Sequence, residues 1–132
     1  MGLQWFRMDC AFPRNPKILA VLAERDGYRA ALVWAGSIGY SAENGLDGFV
    51  PTMALQFIHG RPREAELLCK HRLWHAARGG IGWTINDYAE FQPSNGETQA
   101  RAERARQASR KANCVRWHGE DCGCWRDPPA DP

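Results

Sequence analysis

The sequence predicts an α+β fold, and three observations carry that expectation. Two short helical stretches, one over 52–58 and one opening at Pro62, are separated by His59-Gly60-Arg61, a short glycine-containing turn of the kind that joins a helix-turn-helix. Two runs with strand-like alternation follow, Leu73-Trp74-His75 and Gly82-Trp83-Thr84-Ile85-Asn86, joined through Arg78-Gly79-Gly80 as a hairpin would be. Past Gln92 the chain turns rich in Ala, Arg, Glu and Gln, then ends in a cluster of cysteines. The expected layout is a winged helix-turn-helix domain over residues 3–91, a basic helical linker over 92–113 and a small zinc knuckle over 114–126.

Taken in order, residues 4–8 read as a short strand closed by Pro13. Asn15-Pro16 then gives a helix start, Asn as N-cap and Pro at the first helical position, where its missing N–H costs nothing. Ile18, Leu19 and Leu22 share a face, so this helix should run to about Glu24 and break at Asp26-Gly27. In the second helix Tyr28, Leu32, Ala35 and Ile38 form a stripe that Trp34 thickens, ending at Asn44-Gly45. Asp47-Gly48-Phe49-Val50-Pro51 is a turn into a very short strand, and Thr52 is placed to cap the helix through Ile58. Pro62 and Glu64 open the next helix, with Ala65, Leu68 and Leu73 pointing inward. The segment from Gln92 to Asn113 has no Leu, Ile, Val or aromatic residue, so it is a helix without a face to bury. The last six positions, 127–132, are expected to fray.

With 132 residues, 44% of them hydrophobic, one modest core and an appendage fit, and a second full domain does not. No apolar run reaches the roughly eighteen residues that span a bilayer, and the amino-terminal residues lack a secretory layout, which implies no membrane partner and a bacterial cytoplasmic location. Five cysteines, three of them crowded into 114–124, suit a metal better than a disulfide framework; Cys10 and Cys69 are read as small, partly buried apolar residues.

The strongest local signal is Cys114-x3-His118-x3-Cys122-x-Cys124, three thiolates and an imidazole within eleven positions. Zinc takes four such ligands in a tetrahedron, and Gly119 and Gly123 let the backbone wrap tightly. Four protein ligands leave no place for a reactive water, so the Zn²⁺ expected here is structural, with Trp117 and Trp125 packing around it or offering a partner-binding surface. The competing reading is a flexible tail with incidental cysteines.

The net charge of +2 does not by itself point to nucleic acid, so its distribution has to. On the helix after the Gly60 turn, Arg61, Arg63, Glu64, Glu66, Lys70 and His71 are expected to face solvent, and Arg61, Arg63, Lys70 and His71 are candidate contacts to double-stranded DNA, with Arg78 in the wing loop as a phosphate contact. In the linker, Arg101, Arg104 and Lys111 form one stripe and Arg106 and Arg110 another, against Glu97 and Glu103. These five are further candidate DNA contacts; alternatively, Glu97 with Arg101 and Glu103 with Arg106 support a merely solvated helix. His59, His71 and His75 have no partners at metal spacing. No Walker loop, G-x-S-x-G elbow or H-E-x-x-H is present, so neither an enzyme nor a small-molecule substrate is expected.

Trp5-Phe6-Arg7, Asn15-Pro16-Lys17, Asp47-Gly48-Phe49-Val50-Pro51, Leu73-Trp74 and Ile85-Asn86-Asp87-Tyr88-Ala89-Glu90-Phe91-Gln92-Pro93 together resemble small proteins of actinobacterial phages and prophages described as helix-turn-helix or winged-helix DNA-binding proteins. Their layout is similar to the N-terminal domain of DnaD-like replication initiators. The resemblance covers roughly residues 5–93, and the cysteine-rich tail lies outside it. It implies a phage-type DNA-binding protein acting in replication initiation or transcription control. The alternative is a non-enzymatic adaptor that binds and redirects a host protein such as RNA polymerase or a replication factor.

Overall fold

Asn15 starts the first helix in the way its sequence suggests. Its side-chain oxygen accepts from the Lys17 N–H at 2.9 Å, and Pro16 fills the first helical position. In the computed structural model, which describes residues 2–126, α1 spans Pro16–Leu22 and α2 spans Gly27–Glu43. β1 (Phe49–Pro51) leads into a 3-10 helix (Thr52–Ile58), followed by α3 (Pro62–Lys70), β2 (Trp74–Ala76), β3 (Gly82–Ile85), α4 (Tyr88–Phe91) and α5 (Asn95–His118). The described residues are thus α+β, with one small antiparallel sheet in the order β1-β3-β2. Its register sets Val50 opposite Trp83 and Trp74 opposite Ile85. The chain divides into two compact units, one up to Asn95 and one from Gly96. Among the described residues no helix is long and apolar enough to cross a membrane. Positions 127–132, where fraying is expected, lie outside the described residues.

The core of the first unit gathers Ile18 and Val21 from α1, Ala30, Val33 and Ile38 from α2, Val50 from β1, and Leu67, Leu68 and Trp74 from α3 and the hairpin. The buried face of α2 differs from the stripe its largest apolar residues suggest. Ala30, Val33, Ser37 and Ser41 face inward at helical spacing, whereas Tyr28 and Leu32 are 79% and 64% exposed. Small residues win that face because α2 packs against both α1 and α3, and close helix approach leaves little room between backbones. The two serines are satisfied there: Ser37 Oγ accepts from the Trp74 indole at 3.1 Å, and Ser41 Oγ accepts from the Gly48 N–H at 2.7 Å. On α1, likewise, Val21 is buried and Leu19 is exposed.

Three further expectations are corrected. Residues 4–8 form no strand: the preceding Gly2 and Leu3 donate to Glu43 and Ala42 at the end of α2, and within the segment the Gln92 side chain both accepts from the Arg7 N–H, at 2.9 Å, and donates to the Arg7 carbonyl. Thr52 caps nothing, since its hydroxyl donates to the Gly80 carbonyl at 2.9 Å and its N–H to the Ile81 carbonyl at 3.1 Å, pinning the hairpin loop. Cys10 is exposed rather than partly buried, and Cys69 is half-buried, with its thiol pKa raised by that burial.

Candidate metal centre and nucleic-acid interface

Cys114 and His118 stand four residues apart near the end of α5, so both side chains project from one face of its last turn. Gly119 follows with φ 83°, the left-handed position that ends a helix at little cost when it is glycine, and its N–H still reaches the Val115 carbonyl at 3.1 Å. The chain then doubles back, with Gly123 at φ 69° between Cys122 and Cys124. The result brings one atom from each of Cys114, His118, Cys122 and Cys124 within 4.8 Å of all the others. His118 presents Nδ1, 3.7 Å from Cys122 Sγ and 3.5 Å from Cys124 Sγ, and Cys124 donates to Cys114 Sγ at 3.1 Å.

All of these cysteines are free thiols. Cys114 is buried, and His118, Cys122 and Cys124 are exposed. The hydrogen bond from Cys124 draws the Cys114 thiol down to about 7, and the same contact pushes Cys124 up to about 12, so Cys114 ionises first. The carbonyl end of α5 adds negative potential at the spot where a cation would sit. The four residues can hold a metal ion, and two of them, Cys114 and His118, belong to α5.

Compared with known protein families, curated proteins and solved structures, the chain gives no match.

The cations proposed for DNA fall into two groups. Those on and beside α3 are engaged within the protein. Arg63 bonds to Asp26 at 3.2 Å and to the Arg25 carbonyl at 3.0 Å, Lys70 to Glu24 at 3.1 Å, and Arg61 to Glu64 at 2.8 Å. The side chain of His71 is only 18% exposed and lies 4.0 Å from Glu24. Glu64, expected at the surface, is instead fully buried between Arg61 and Arg29, whose Nε lies 2.9 Å away. Lys70 holds the Glu24 carboxyl below its usual pKa, and Glu64 raises that of Arg61. Glu66 is exposed on the outward side of α3, so that helix offers a mixed and largely internally neutralised surface.

The second group lies elsewhere. Arg78 is exposed in the hairpin loop, and Arg101 and Arg104 on α5 make no ion pair among the described residues. Arg106 bonds to Glu103 at 2.6 Å, and Arg110 shares that carboxylate at 3.6 Å. Lys111 sits over the Trp125 ring at 5.1 Å, joined there by Arg126 at 5.3 Å, and Arg116 lies over Trp117 at 5.4 Å. Exposed contacts of this kind are worth about 0.5–1 kcal/mol each. Arg116 and Arg126, and the acids Glu24 and Asp26 that neutralise α3, are the site residues that sequence reasoning missed. The sequence neighbours Arg116-Trp117 and Trp125-Arg126 carried a signal for the first pair; no local pattern announced the second.

Proposed function

We propose that the protein is a non-enzymatic DNA-binding protein: a winged helix-turn-helix domain joined to a basic helix whose end is held by a structural zinc ion. The helix α2, strand β1, two further helices and a hairpin, with the sheet order β1-β3-β2, support the winged-helix reading. The donor set and its spacing support zinc. A tetrahedral ion with bonds of about 2.3 Å to sulfur and about 2.0 Å to nitrogen separates sulfurs by about 3.8 Å and sulfur from nitrogen by about 3.5 Å. The two sulfur–nitrogen distances here, 3.7 and 3.5 Å, fit one mononuclear ion, and the Cys114–Cys124 pair would open from 3.1 Å on loading.

The observation that carries the DNA reading is the contrast between the two groups of cations. With Arg61, Arg63 and Lys70 already paired, the available phosphate contacts are Arg101, Arg104 and Arg116 on α5 and Arg78 in the loop. The resemblance to phage and prophage DNA-binding proteins suggests replication initiation or transcription control as the setting. The test is a duplex-DNA titration of the zinc-loaded protein at two salt concentrations. Replacing Arg101, Arg104 and Arg116 together by Ala is expected to weaken binding at least tenfold and flatten its salt dependence by about three phosphate contacts, whereas Arg63→Ala with Lys70→Ala changes little. The reverse pattern would return the contacts to α3.

A second reading is an adaptor for a host replication or transcription protein. It is favoured by the neutralised face of α3 and by the exposed Tyr28, Leu32, Met53 and Phe57. An interface of that kind would be almost indifferent to salt.

A further inference from the structure

We propose that the groove beside the metal ligands takes an unpaired base of single-stranded DNA, stacked on Trp117, with the neighbouring phosphates on the surrounding arginines and lysine. This rests on the DNA reading above and narrows it. Trp117 is 73% exposed on a helix whose one buried residue among those described is Cys114, so its ring is presented to solvent. Together with Trp125, Arg110 and Asn113 it lines an open groove of about 490 Å³ floored by three of the metal-ligating side chains, within the roughly 300–1,000 Å³ typical of ligand pockets.

The charges around the groove fit a phosphate strand. Arg116 lies over the Trp117 ring, and Lys111 and Arg126 lie over Trp125, so each aromatic wall carries its own cation. Arg110 adds a fourth, although it is shared with Glu103 and Gln107, and its buried Nε has no hydrogen-bond partner. Alternating π-faces and cations is the chemistry that holds single strands without reading their sequence. A base inside a duplex has both faces covered by its neighbours and cannot use such a platform unless it is flipped out. The strand is taken as DNA in keeping with the reading it rests on, and the 2′-hydroxyl is what an RNA strand would add.

The experiment uses the zinc-loaded full chain and fluorescence anisotropy with labelled dT12, a duplex of the same length and rU12. Wild type is expected to bind dT12 at least tenfold more tightly than the duplex. Trp117→Ala should lower dT12 affinity by about tenfold while leaving duplex affinity and zinc content unchanged, and Trp117→Phe should restore most of the loss. Equal affinity for dT12 and duplex, or a Trp117→Ala protein that binds dT12 as wild type does, overturns the stacking site while leaving the DNA reading intact. Binding to neither DNA overturns both. An rU12 affinity tenfold above that for dT12 overturns the choice of DNA as the strand.

Discussion

Trp74 donates its indole N–H to the Ser37 hydroxyl at 3.1 Å in the middle of the first unit, with both side chains fully buried. Ser37 in turn donates to the Trp34 carbonyl at 2.6 Å, so one small side chain in mid-helix satisfies the only polar side-chain atom of Trp74, the largest fully buried side chain. Ser37→Ala leaves that N–H without a partner where water cannot reach it. The expected loss is about 1–3 kcal/mol of unfolding free energy, read from the midpoint of a urea denaturation curve. A midpoint equal to wild type would mean the indole finds another acceptor.

Glu64 ties α2 to the entrance of α3 through Arg29 and Arg61. Breaking a wholly buried ion pair costs about 3–5 kcal/mol, but here both arginines are nearly half exposed, at 49% and 46%, and regain water when the carboxylate goes. Glu64→Gln is therefore expected to cost about 1–3 kcal/mol, the range of a lost charge-assisted hydrogen bond. The double variant with Arg29→Ala should cost clearly less than the sum of the single changes. Simple additivity would show that the contact does not couple the two helices.

Metal binding should be strongly pH dependent. A thiol whose pKa is lowered to about 7, as at Cys114, is about half ionised at neutral pH and protonates as the pH falls through that value. Cys124, raised to about 12, still carries its proton at neutral pH and gives it up only to the metal. Because protons compete with the ion, affinity falls as pH falls, by at least about tenfold per unit between pH 7 and 6. Competition against a chromophoric chelator at several pH values measures this, and an affinity flat over that range would argue against thiolate ligation. Cys122→Ser with Cys124→Ser should abolish binding and leave the urea transition of the first unit in place.

Much of this architecture is written locally. Asn15-Pro16 and Pro62 mark helix starts, the hairpin shows in its alternation, and the four residues of the Cys/His cluster are close neighbours in sequence, so short-range physics was enough to bring them to notice. What sequence patterns concealed depends on partners far along the chain. Glu64 looks like a surface residue until Arg29, thirty-five positions away, is brought against it. Thr52 looks like a cap until Gly80 supplies a better acceptor. The stripe of Tyr28 and Leu32 misleads because size was weighed where closeness of packing decided; Ala30, Val33 and Ser37 have the volumes that a helix between two others requires.

The double hydrogen bond between the Arg7 backbone and the Gln92 side chain spans 85 positions of sequence. During synthesis Arg7 leaves the ribosome long before Gln92 exists, so the first unit cannot close around its own amino-terminal segment until almost all of that unit has been translated. Gln92→Ala, which touches neither backbone, would release both bonds of that clasp at once.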